Sequence, residues 1–194
     1  DYDRAAKVFE TIKKFYLPHA DQAVIALVRL ADIEAFTGKM QKAVEQYNKV
    51  LSVHHKNYRA CAESWMGIGW VNRVAGKAED ALASYNYVIK EYGYFRDLAA
   101  QALINSAFVH LEKVVPDREA EEFFKRVLQR YRDYDEETWV ARYMLGMSEA
   151  GDVERKIAPA LMNYYIGERY RYRNDRRNAV VYLSRFCRDA GANE

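Results

Sequence analysis

A chain of 194 residues with 30 Lys and Arg against 28 Asp and Glu carries a net charge of +2, too small an excess for charge alone to hold it on nucleic acid or a membrane surface. Half of its residues are hydrophobic while only 9 are Gly and 3 are Pro, which favours helices joined by short turns. No run of roughly 18 apolar residues occurs, so no segment is expected to span a membrane.

The helices are ordered by a repeat. Ala5, Ala43, Ala81, Ala120 and Ala158 recur at steps of 38, 38, 39 and 38 residues. Each is followed four residues later by a bulky side chain (Phe9, Tyr47, Tyr85, Phe124, Met162) and seven later by another (Ile12, Val50, Val88, Val127, Tyr165). A second small residue lies 26 positions after each of the first four alanines, at Ala31, Gly69, Ala107 and Gly146. Two small residues recurring in this way predict an antiparallel helix pair, A then B, whose backbones approach closely while bulky neighbours interlock. A fixed period in the range of about 20–50 residues marks units that cannot bury an apolar face alone and must stack.

In chain order, residues 1–18 read as a helix B. Full AB units follow at 22–56, 60–95, 98–134 and 137–173, and residues 178–190 read as a further helix A or a cap. The chain thus starts and stops inside units, as a segment of a longer array would. Gly38, Gly76 and Gly151 fall where a helix A should end, and glycine supplies the left-handed conformation that such an end requires. The spacing predicts about 14 residues for helix A and about 16 for helix B. Helix B closes eleven residues after its alanine, on Tyr16, His54, Tyr92, Tyr131 or Arg169. The extra residue of the 39-residue step falls in Lys113–Asp117, where Pro116 leads into a helix. Cys61 and Cys187 lie more than three repeats apart, beyond the roughly 7 Å between Cα atoms that a disulfide allows, and are expected to be unpaired.

The string Trp65-x-x-Ile68-Gly69…Gly76…Ala81-x-x-x-Tyr85 resembles the tetratricopeptide repeat (TPR) family, and the likeness covers nearly the whole chain. The units are about four residues, one helical turn, longer than the family's. Such lengthened units closing on a tyrosine are similar to the repeats of bacterial cell-envelope proteins. The resemblance implies an all-α, right-handed superhelical solenoid of about ten helices. It also implies a non-enzymatic scaffold that takes a peptide or helix of a partner protein in its concave groove. Carried over residue by residue, the concave positions are Val28 and Asp32, then Met66, Trp70 and Arg73, then Asn105 and Phe108, then Tyr143 and Met147. Neither Val28 nor Asp32 is a cation, which argues against the carboxylate grip of the family's chaperone-binding members.

No catalytic, cofactor or metal site is expected. Gly146–Gly151 is one residue too long for a nucleophile elbow and has no strand before it. Gly67-Ile68-Gly69 lacks the third glycine of a dinucleotide loop and fits helix packing better. His19, His54, His55 and His110 form no ligand cluster. The segment 164–177, reading YYIGERYRYRNDRR, offers an alternative function: Arg169, Arg171, Arg173, Arg176 and Arg177 interleaved with tyrosines would bind RNA or another anionic surface. The preferred reading of that segment is a helix with packed tyrosines and solvated arginines, because tyrosine is abundant throughout the chain (16 in all). Self-association through uncovered ends of the stack is a further expectation.

Overall fold

The computed structural model describes residues 2–15, 21–112 and 119–145, and the described residues are helical, with no strand among them. The helices are α1 (Tyr2–Phe15), α2 (Asp21–Phe36), α3 (Met40–Val53), α4 (Tyr58–Val74), α5 (Ala78–Glu91), α6 (Arg96–Leu111), α7 (Glu119–Arg130) and α8 (Asp135–Met144). The expectation of an all-α chain holds for these residues. No described helix is long and apolar enough to cross a membrane. The chain divides into two compact units, residues 1–102 and 103–194. The part of the expected unit 137–173 beyond residue 145 and the expected element 178–190, with Gly151, lie outside the described residues, as do Lys113–Asp117 and Cys187.

In the first unit α2 packs on α3, α3 on α4 and α4 on α5, and α2 also touches α4 directly. The two helix types differ in what they bury. α2 buries Ala23, Val24, Ala26, Val28, Leu30, Ala31 and Ala35, a broader face than one strip, as in a helix packed on more than one neighbour. α3 buries one strip, Ala43, Tyr47 and Val50, and α5 repeats it with Ala81, Tyr85 and Val88 beside Ser84. In the second unit α7 packs on α8 and buries Ala120, Phe124 and Val127. The strip at i, i+4 and i+7 is therefore the buried face of three B helices.

The A–B turn is set by glycine. Gly38 has φ +83° and Gly76 φ +73°. Around Gly38 the amide of Lys39 donates to the Glu34 carbonyl at 2.8 Å and that of Gly38 to Ala35 at 3.0 Å. Around Gly76 the amides of Lys77 and Gly76 do the same to Asn72 at 2.9 Å and Arg73 at 3.0 Å. This crossed pair satisfies carbonyls that a helix end would leave bare. The carbonyls of Lys39 and Lys77 then accept the first bonds of α3 and α5, from Ala43 and Ala81 at 3.0 Å each.

The B–A linker also recurs. Asn57 donates its amide to the His54 carbonyl at 2.8 Å, Phe95 to Tyr92 at 2.9 Å, and Tyr134 to Tyr131 at 3.1 Å. The Cys61 thiol donates to the His54 carbonyl at 3.6 Å, and in the second unit the Thr138 hydroxyl donates to Tyr131 at 3.1 Å. These are the same positions, two repeats on. Helix B ends as expected at His54, Tyr92 and Tyr131, but the helix lengths are reversed. α2, α4 and α6 run 16, 17 and 16 residues, whereas α3, α5 and α7 run 14, 14 and 12. The reason is the four-residue linker. Asn57 accepts from the Ala60 amide at 3.0 Å, an N-cap that starts α4 at once and gives the extra turn to helix A.

Candidate protein-docking surface

Close packing in the first unit rests on two bare Cα atoms of α4. A Cβ added to Gly69 would lie 2.5 Å from the Tyr85 ring, and one added to Gly67 would lie 2.2 Å from the Tyr47 ring. Two residues apart on a helix face nearly opposite ways, so α4 receives Tyr47 from the preceding B helix on one side and Tyr85 from its own on the other. This accounts for the Gly67-Ile68-Gly69 string. Tyr47 also donates its hydroxyl to Asp32 Oδ1 at 2.6 Å. Burial, and then the Asp32 carboxylate, push that phenol well above its ordinary pKa.

Asp32 opens a line of alternating charge over three A helices. Arg29 Nη1 donates to Asp32 Oδ2 at 2.7 Å and Arg29 Nη2 to Glu63 Oε2 at 2.7 Å. Arg59 Nε donates to Glu63 Oε1 at 3.0 Å and Arg59 Nη1 to Asp97 Oδ1 at 3.1 Å. Partial burial alone would lower both arginine pKa values, but these carboxylates outweigh it and raise them. Each acid–base link between helices joins one A helix to the next, so the line fixes their spacing.

Beside this polar line α2 and α4 carry an aromatic patch. Phe36, at the last position of α2, is 58 % exposed, and its ring lies 5.0 Å from that of Trp70. Tyr2 also stacks on Phe36, at 6.4 Å and 18°. Val74, one turn beyond Trp70 on α4, is 55 % exposed. Trp70 itself is half-buried, with part of its ring against the core that contains Ile68 and Val71.

The expected groove residues are distributed as follows. Met66, Trp70 and Arg73 lie on α4, all half-buried, at the i, i+4 and i+7 positions of one face. Asn105 is half-buried on α6, whereas Phe108 and Tyr143 are 1 % and 4 % exposed. Phe108 meets Phe124 edge-on at 6.0 Å. Neither Phe108 nor Tyr143 therefore presents a side chain to a partner. Val28 is fully buried and Asp32 is engaged by Arg29 and Tyr47. Met147 and the basic segment with Arg169, Arg171, Arg173, Arg176 and Arg177 lie outside the described residues. Phe36 and Tyr2 are absent from the sequence-derived set. The signal that finds Phe36 is an aromatic at a helix end, next to the Thr37-Gly38 turn, where burial is not available.

A second aromatic cluster lies on the linker side of the same unit. Trp65, Tyr87, Tyr92, Tyr94 and Phe95 form a chain of ring contacts, with centroid separations from 4.6 to 6.4 Å, and the Arg59 guanidinium lies over Phe95 at 5.3 Å. The equivalent place one repeat earlier is a cleft of about 440 Å³ bounded by Asp21, Val24, Val53, His54, His55, Lys56 and Asn57. There Asn57 Nδ2 donates to Asp21 Oδ1 at 2.9 Å, between the same two repeat positions that Phe95 and Arg59 occupy. Among the described residues no group of three or more His, Cys, Asp or Glu is placed to hold a metal.

Compared with protein-family models, with curated proteins and with solved structures, the chain matches none of them.

Proposed function

We propose that the chain is a TPR-like solenoid, a right-handed stack of AB pairs, and that it serves as a non-enzymatic scaffold for another protein. A helix or extended peptide of that partner would lie along the A helices, as the resemblance in Trp65–Tyr85 implies. The recurrence of the glycine turn, the linker bond and the buried B-helix strip supports the stacking. The observation that carries the binding reading is the Phe36–Trp70 pair. An exposed phenylalanine packed on a half-exposed tryptophan is the kind of rigid apolar anchor that dominates protein interfaces. Among the expected groove residues, Met66, Trp70 and Arg73 remain the contact set, with Phe36 and Tyr2 added.

The test is affinity capture from the native host's extract with the wild-type chain and a Phe36→Ala/Trp70→Ala variant, after circular dichroism has shown that the variant keeps its helices. A protein held by wild type and lost by the variant supports the reading. Capture that is unchanged by the variant overturns it.

A further inference from the structure

The linkers at 54–57, 92–95 and 131–134 share a backbone bond and differ in what fills the corner beside it. At the second, Tyr92 and Phe95 hold the first and last positions, within the ring cluster that includes Trp65, Tyr87 and Tyr94. At the third, Tyr131 and Tyr134 hold the same two positions, with ring centroids 6.4 Å apart. At the first they are His54 and Asn57. The first-repeat counterparts of Trp65, Tyr87 and Tyr94 are Leu27, Lys49 and Lys56, so Phe, Tyr and Trp are missing from all five positions. What stands there is the cleft of about 440 Å³, within the range of roughly 300–1,000 Å³ that ligand pockets span.

The surroundings of that cleft change in the opposite sense. Val53, which lines it, is 52 % exposed, and Tyr58, next to Asn57, is 58 % exposed. Ile25 is 40 % exposed and lies one turn from Asp21 on the same face of α2. One repeat on, these three positions are Glu91, Arg96 and Glu63. The corner that the chain fills with its own rings thus has charge at places where the unfilled corner has large apolar side chains. Exposed apolar side chains gathered around a cleft mark a surface that a partner covers. Charge narrows the partner further. Lys56 and Lys49, the latter one turn before Val53, are exposed where the second corner has tyrosines. The Asp21 carboxylate already accepts from Asn57, so the charge that the corner offers is positive.

We infer that this cleft is a docking pocket for one aromatic side chain of a partner protein, carried on a short acidic segment. The ring takes the place that Phe95 holds one repeat on, against Val24 and Val53. Ile25 and Tyr58 cover the apolar flanks of the segment, and its carboxylates face Lys49 and Lys56. The site stands on the comparison of the three corners and is independent of the Phe36–Trp70 pair, so either can fail alone.

The probe is an acetylated and amidated peptide, Leu-Asp-Phe-Asp-Leu, titrated into the isotope-labelled 194-residue protein and followed by backbone amide chemical shifts. Saturable shifts are expected at residues 21–25 and 53–58. Replacing the peptide's Phe by Ala should abolish them, and replacing its Asp residues by Lys should weaken binding by roughly tenfold or more. In the protein, Asn57→Phe fills the cleft with the ring that stands there one repeat on, and Val53→Glu gives the rim its Glu91 counterpart. Each should weaken binding by about tenfold or more. Val53 is exposed, so Val53→Glu leaves the fold intact even if loss of the Asn57 cap disturbs α4. Absence of saturable binding, equal binding by Val53→Glu, or equal binding of the alanine peptide overturns the inference, as do shifts centred on Phe36 and Trp70. Sedimentation of the protein alone provides the remaining arm. A concentration-dependent dimer that Val53→Glu abolishes puts a second copy at the cleft in place of an acidic segment, which also overturns it.

Discussion

Tyr85 lays its ring against the bare Cα of Gly69 so closely that a single added methyl group would sit 2.5 Å from it. Tyr85 is fully buried and has no room to retreat. Gly69→Ala should therefore destabilise the first unit by about 1–3 kcal/mol, the usual cost of overpacking, despite the gain of roughly 1 kcal/mol that alanine brings to a helix interior. Gly76→Ala meets nothing within 4 Å, so it should cost only the strain of its positive φ, about 1–2 kcal/mol. In urea titrations, a Gly69→Ala/Tyr85→Leu double variant should recover much of the first loss. Gly76→Ala with the same partner change should recover none.

The line of charge from Asp32 to Asp97 is half open to solvent, with Arg29 and Arg59 side chains 40 % and 42 % exposed. A double-mutant cycle on Arg59→Ala and Asp97→Ala should give a coupling of about 0.3–1 kcal/mol. In about 1 M salt, where screening extends over only a few ångströms, the coupling should shrink to a fraction of that. A coupling indifferent to salt would mean that packing of Arg59 on Phe95 is the larger effect.

Burial, aided by the nearby Cys61 and by Tyr87 and Tyr94, pushes the Tyr92 phenol up to about 12. The unfolded value is about 10, so folding favours the neutral form. The resulting stabilisation is complete below pH ~10 and is lost as pH rises through about 12. Comparison of wild type with Tyr92→Phe by ultraviolet titration should show one late-ionising phenol removed. The decline in stability over that window should be shallower in the variant.

Cys61 is buried and free, and burial pushes its thiol pKa up. In a Cys187→Ser background, reaction with a thiol reagent near pH 8 should be slow in the folded protein and become rapid in denaturant. Rapid labelling of the folded protein would place Cys61 at an opening of the structure rather than in its interior.

Much of the local architecture is legible in the residues. Gly38 and Gly76 mark turns because only a residue without a Cβ takes a positive φ at no cost. The Ala-x-x-x-Tyr-x-x-Val strip marks the buried face because i, i+4 and i+7 coincide on a helix. Exposure along the A helices is harder to read, for a physical reason. Neighbouring helices cover each copy to a different extent, so repeat position does not fix exposure. Asp32, Trp70 and Phe108 occupy one repeat position, and they are respectively ion-paired, half-buried and buried. The repeat does not flag Phe36, because its counterpart in the next repeat, Val74, is not aromatic. The helix lengths were reversed because a side-chain cap, Asn57, decides where α4 begins, and apolar spacing carries no record of it.

The three-residue turns at 37–39 and 75–77 share their last residue between the end of one helix and the beginning of the next, which leaves no slack. In the first unit each A helix therefore passes directly into its B helix. The corners at 54–57 and 92–95 each carry one recurring backbone bond and a side-chain clasp. At the first joint the clasp is Asn57 on Asp21, a single amide grip. At the second it is Arg59 on Phe95, backed by a wall of tyrosines. The two corners are thus closed by different chemistry, an amide on a carboxylate at the first and a guanidinium over a ring at the second.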